Sequence, residues 1–128
     1  MGKFLTQDAK DNLLNTVADN GSRLDLCSQE PSDYSEATDT YSLANTSLST
    51  GDGNGDYTLS DDGTGGRELE VDSQDEIDID SSGDVTHVAI TDPGNNELLF
   101  VTTATEQPLT AGNKANTSSF ALTVSDIS

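Results

Sequence analysis

Basic residues are scarce in this sequence: three Lys and two Arg stand against 17 Asp and seven Glu in 128 residues, a net charge of −19. Phosphate recognition runs on clustered cations, so direct binding of nucleic acid is not expected. Cysteine is almost absent. Cys27 stands alone, which excludes an intrachain disulfide, and with His87 the only histidine no Cys/His zinc site can be assembled. No run approaches the twenty apolar residues of a membrane span, so membrane insertion is not expected. At the N-terminus, Met1-Gly2-Lys3-Phe4-Leu5 meets Thr6, Gln7 and Asp8 before an apolar stretch develops, so no secretory signal is read there and synthesis in the cytoplasm is expected. The length is that of about one ordinary domain, which argues against an enzyme with a separate cofactor-binding half.

What the chain does contain is acid, spread evenly. Residues 1–66 and 67–128 carry twelve carboxylates each, so the charge belongs to the whole surface and not to a tail. Leu, Ile, Val and Phe together number 26, close to the composition at which chains stay unfolded. Ser and Thr add 31 residues. Such a surface suits concentrated salt, where screening shortens to about 3 Å near 1 M ionic strength and self-repulsion fades. The composition reads as that of a halophile's protein.

The patterning predicts a single domain over 1–128, mainly β, with one short N-terminal helix. Residues 6–19 form the helix, with Thr6 as N-cap, Ala9, Leu13 and Val17 on one face, and Asn20-Gly21 as the stop. The period then changes to two. Arg23-Leu24-Asp25-Leu26-Cys27 alternates as a half-buried first strand, 23–28. Residues 34–48 read as an ordered loop with a short helical turn, and 51–66 as a flexible Gly/Asp-rich excursion around Tyr57-Thr58-Leu59.

From Arg67 to residue 125 strand signals become regular and form the β core. Leu69 and Val71, then Ile77 and Ile79, face inward between acids that face water. Strands follow at 85–91, 97–105 and 117–125, the 97–105 strand too apolar for an exposed edge, and the last two are expected to supply the core. About six short strands joined by turns describe an antiparallel β-sandwich or small, jelly-roll-like barrel.

Few constellations invite chemistry. Asp52-Gly53-Asn54-Gly55-Asp56 opens like a calcium loop, but Tyr57 stands where the sharp turn needs glycine and Gly63 where a bidentate Glu should close the site. Asp52, Asn54 and Asp56 are therefore candidates only for a loosely held Na, K, Mg or Ca ion, and no cofactor is expected. Residues 68–80 hold seven acids, but alternation places them on a solvated face, unsuited to a glycosidase pair. His87, inside a strand without a nucleophile elbow, reads as structural. Tyr34 and Tyr41, in the Ser/Thr-rich segment, are either contact anchors for a partner or pins for the loop. No catalytic residues are identified, and an enzyme is not expected.

The order of features carries a resemblance. A short helix leads to Leu24-Asp25-Leu26-Cys27-Ser28-Gln29-Glu30-Pro31, then Tyr34-Ser35-Glu36-Ala37, Tyr41-Ser42-Leu43-Ala44 and Gly65-Gly66-Arg67-Glu68-Leu69. The second half gives residues 83–92, Glu97-Leu98-Leu99-Phe100-Val101, Leu109-Thr110-Ala111-Gly112-Asn113 and Ser119-Phe120-Ala121-Leu122. The whole resembles the small β-rich virion proteins of tailed phages and haloarchaeal tailed viruses, with loose motifs and an unusual charge. That resemblance implies a non-enzymatic particle component, decorating the capsid as a turret, tower or fibre base, or belonging to the tail or adsorption apparatus. The implied partners are copies of itself, a major capsid protein or tail proteins, in symmetric repetition. A haloarchaeal cell-surface recognition module is the rival reading.

Overall fold

The computed structural model describes residues 7–51, 53, 55–61 and 66–124. The chain is mainly β with antiparallel sheets and one N-terminal helix, the class the patterning predicts and one consistent with a β-sandwich or small barrel. In chain order the elements are α1 (Gln7–Asn20), β1 (Arg23–Cys27), a π-helical turn (Glu36–Thr40), β2 (Ser42–Ser47), β3 (Tyr57–Asp61), β4 (Arg67–Val71), β5 (Gln74–Asp78), β6 (Gly83–Asp92), β7 (Glu97–Leu109), β8 (Lys114–Thr117) and β9 (Phe120–Val124). The chain folds as two compact units, one of Met1–Asn20, Ser49–Ser73 and Ser118–Ser128, the other of Gly21–Leu48 and Gln74–Thr117.

The first unit is a helix on a three-stranded antiparallel sheet of order β3-β4-β9. Its register aligns Tyr57 with Val71 and Phe120, and Leu59 with Leu69 and Leu122, so one face is apolar. Arg67, on that same face by alternation, donates to Asp11 of α1 at 2.7 Å, which identifies the face as the one the helix covers. The helix buries Leu14, Val17 and Ala18, three and four residues apart, and leaves Leu13 exposed. Val17 is buried as expected, and the stripe is completed by Leu14 and Ala18, its neighbours at helical spacing, in place of Leu13. Thr6 lies outside the described residues.

Two expectations for this unit change. The stretch 51–66 contains β3: three alternating residues are too few to specify a strand alone, but pairing with β4 over five positions supplies the rest. The strand expected over 117–125 is β9, which starts at Phe120, because Thr117 instead ends β8, a strand of the other unit.

The second unit carries a four-stranded sheet of order β2-β1-β6-β7 and a two-stranded ribbon of β5 and β8. β1 is central and buried on both faces: Leu24, Asp25 and Cys27 are fully buried and Leu26 nearly so. The half-buried strand expected from its alternation is thus a covered one. Burying Leu24 or Ile90 contributes about 1.5–3 kcal/mol each. The outer side of β2 is closed by the Ala44–Ile79 bridge and by Leu43, whose carbonyl accepts from Asp80 and Ser81 N–H at 2.8 and 3.1 Å. Gly83, at the start of β6, stands so close to Leu43 that an added Cβ would lie 3.0 Å from its Cδ2.

At the opposite edge the sequence reading is overturned. Among the described residues β7 is the outer strand, and Leu98, Leu99, Phe100 and Val101 are half-buried, whereas residues 88–92 of neighbouring β6 are all buried. An apolar strand is tolerated there because Leu98 and Val101 pack on Cys27, Ala37 and Ala89 beneath the π-helical turn. Strand 97–105 supplies no fully buried residue; strand 117–125 supplies Leu122, and the rest of the core lies mainly in β1, β2 and β6 of this unit and in α1, β3 and β4 of the other.

Candidate functional site

The most specifically built region of the second unit is the segment 32–41, laid over one face of β1. Alternation puts Arg23, Asp25 and Cys27 on one face, beside His87, Ala89 and Thr91 of β6. A fully buried carboxylate there is costly unless paired and hydrogen-bonded. Asp25 is: Arg23 donates through Nε at 2.8 Å to one oxygen and through a terminal guanidinium nitrogen at 3.0 Å to the other, and Ser42 Oγ donates to it at 2.6 Å. The same guanidinium reaches the Thr38 carbonyl at 3.1 Å and so ties the π-helical turn to the sheet. Its hydrogen bond to Asp25 raises the Arg23 pKa against the opposing effect of burial, with Tyr34 and Asp80 adding smaller pulls.

Cys27 lies under the same turn, its thiol directed at the Ala37 carbonyl at 3.5 Å. Burial, with a smaller contribution from the Asp25 charge, pushes the thiol up to about 12, so it stays protonated and unreactive. Thr91, also fully buried, has a hydroxyl without a hydrogen-bond partner among the described residues.

The start of the turn is held by a reciprocal pair of the capping-box kind. Asp33 Oδ1 accepts from Glu36 N–H at 2.8 Å, and Glu36 Oε1 accepts from the Ser32 N–H and hydroxyl at 2.8 and 2.7 Å. The other end closes on Tyr41, whose N–H donates to the Glu36 carbonyl at 2.9 Å and whose carbonyl accepts from Ser28 N–H at 3.0 Å.

The two tyrosines therefore differ. Tyr41 is half-buried against Cys27, Ala37 and Ala89 and pins the loop. Tyr34, with Asp33, Ser35 and Asn96, lines an open concavity of about 360 Å³. Asn96 occupies the left-handed region (φ 51°) in the turn 93–96, a conformation Asn adopts more readily than most residues. The preceding Asp92 shapes that turn by accepting from Gly94 N–H at 3.0 Å and Asn95 Nδ2 at 2.7 Å. One aromatic ring with amide, hydroxyl and carboxylate groups thus surrounds an open hollow.

The remaining candidates are not brought together. Asp52 and Asn54 lie outside the described residues. Asp56 Oδ2 accepts from Ser49 N–H at 2.5 Å, and its carbonyl accepts from Asp72 N–H at 2.9 Å, so it knits the first unit. Among the described residues no group of three or more His, Cys, Asp and Glu side chains is placed to hold a metal ion. His87 is half-buried in β6, with Nδ1 2.9 Å from Thr86 Oγ1.

The network around Asp25 escaped the sequence reading. Its signal was present: Arg two residues before Asp in one strand places cation and carboxylate side by side on one face. No family model, curated protein or solved structure matches the chain.

Proposed function

We propose that the chain is a non-enzymatic structural protein of the virion of a halophilic, haloarchaeal tailed virus, decorating the capsid as a turret, tower or fibre base through symmetric homo-oligomers. The observation that carries the brine half of this reading is the fate of the cations. Among the described side chains Arg23 is held by Asp25, Arg67 by Asp11 and Lys114 by Asp78, and the two further cations of the sequence, Lys3 and Lys10, leave the net charge at −19. A surface of one sign repels itself in dilute buffer and is screened in brine. The particle half rests on the resemblance of the residue order to small β-rich virion proteins, and the scaffold of short antiparallel strands suits that role.

Copy number per purified particle, by quantitative mass spectrometry against the major shell protein, tests the proposal. Many tens of copies support capsid decoration. A handful moves the protein to the tail or adsorption apparatus, and complete absence overturns the virion reading in favour of a cell-surface recognition module.

A further inference from the structure

Asp33, Tyr34 and Ser35 on one side and Asn96 on the other line the open hollow of the second unit. Both walls are fixed by their own hydrogen bonds. The first is held by the reciprocal bonds among Ser32, Asp33 and Glu36 and by the Thr38 hydroxyl, which donates to the Tyr34 carbonyl at 2.8 Å. The second is held by Asp92 through Gly94 and Asn95. Because Asp33 accepts from the Glu36 N–H, Ser35, at the N-cap position of the π-helical turn, makes no side-chain capping bond. Among the described residues neither the Ser35 hydroxyl nor the Asn96 side-chain amide has a hydrogen-bond partner, and both residues are exposed. The hollow is thus a preformed recess with one half-buried aromatic ring and unused polar groups on both sides.

We propose that this hollow binds one ring of a neutral sugar, with Tyr34 against its carbons and Asp33, Ser35 and Asn96 bonded to its hydroxyls. The inventory of groups selects the ligand class. A carboxylate only accepts, an amide offers separate donors and an acceptor, and a hydroxyl does both, a set that a ligand with several hydroxyls answers. A simple cation would leave the hydrogens of Ser35 and Asn96 unanswered. An anion would meet Asp33 and a chain of net charge −19. The electron-rich face of an aromatic ring attracts the polarised C–H groups on the apolar face of a sugar.

Size and openness set the rest. About 360 Å³ lies at the small end of the range for ligand sites, about 300–1,000 Å³, so a single ring fills it. An open hollow covers only one side of that ring and leaves the other for the neighbouring sugars of a glycan. Little surface is buried, so a single ring binds weakly, with a dissociation constant on the order of millimolar. The inference goes beyond the virion reading and does not rest on it: copy number locates the protein, and ligand titration reports what the hollow holds, so either can fail alone.

The test is an NMR titration of the ¹⁵N-labelled full chain in about 2 M KCl, where repulsion among the acids is screened. The probes are the methyl pyranosides of glucose, galactose and mannose, with glucuronate and tetramethylammonium chloride as the anionic and cationic comparisons. At least one pyranoside should give saturable shifts at the backbone amides of Tyr34, Ser35 and Asn96. Its affinity should hold between about 1 M and 3 M KCl, because no charge is paired. Tyr34→Phe should keep most of that affinity, and Tyr34→Ala should lose at least about tenfold, roughly 1.4 kcal/mol. Asn96→Gly keeps the left-handed turn, removes the amide and should weaken binding at least about threefold; it decides the matter if circular dichroism shows Tyr34→Ala misfolded. No saturable shift with any of the pyranosides, shifts indifferent to the loss of the ring and of the amide, or tighter binding of tetramethylammonium or glucuronate overturns the proposal.

Discussion

The two units hold their chains in place by different means. The second unit buries a carboxyl group, Asp25, at the centre of its sheet and satisfies it with a strand neighbour, Arg23, and a hydroxyl, Ser42. The first unit joins sheet to helix through an apolar face, with the Arg67–Asp11 pair at its margin, 18% and 22% exposed. A chain with few large apolar residues thus uses polar specificity where a sheet is covered on both faces, and apolar burial where one helix covers one face. The ion pairs are alike in distance but not in consequence, because removing a partner from a buried pair strands a charge away from water.

The largest effect expected from this contrast is at Arg23. Arg23→Met leaves Asp25 buried and uncompensated and should cost about 3–5 kcal/mol in urea unfolding, while the double variant Arg23→Met/Asp25→Leu should recover most of the loss. A small cost for the single variant would place the carboxylate in water and erase the difference between the units. Next is Gly83→Ala in the second unit: the new Cβ meets Leu43, and overpacking of this kind costs about 1–3 kcal/mol. Combining it with Leu43→Val should return part of that. Arg67→Ala in the first unit should cost only about 0.2–1 kcal/mol, because its pair is partly exposed, and the cost should shrink as salt is added. A salt-independent loss as large as that at Arg23 would reverse the comparison.

A further effect, absent at neutral pH, is confined to alkaline pH. The folded state keeps the Cys27 proton beyond the thiol's ordinary 9.0, to about 12, so above pH 9 it holds more protons than the unfolded chain. Stability present below that pH is lost as pH rises through the interval, and Cys27→Ala should remove this component. Tyr57 in the first unit is pushed up in the same direction, by burial first and by the Asp56 charge second. At pH 8 the native thiol should resist a disulfide reagent that labels the unfolded chain at once.

Local signals made much of the fold legible. Asn20-Gly21 stops α1, and the alternation around Leu69, Val71, Ile77 and Ile79 identifies buried strand positions because period-two patterning directly reflects one dry face. Burial of a second face is a tertiary property. Nothing in Arg23-Leu24-Asp25-Leu26-Cys27 says that the segment 32–41 will lie over Asp25, so the strand looked half-buried. The position of β7 was hidden for the same reason: apolar content reports side-chain burial, not which strand supplies the last ladder of a sheet. Of the two tyrosines, composition marked both, and only the packing of Tyr41 against Ala37 and the opening beside Tyr34 separate pin from surface.

If the acids are tolerable because salt screens them, the most direct measurement is the free energy of unfolding by urea from about 0.1 M to 3 M KCl, over which the Debye length falls from about 10 Å to below 3 Å. Stability that climbs steeply through the first molar and then levels is the predicted result. A curve that is flat or falls with KCl would contradict it, and the acidic surface would then need an explanation other than brine.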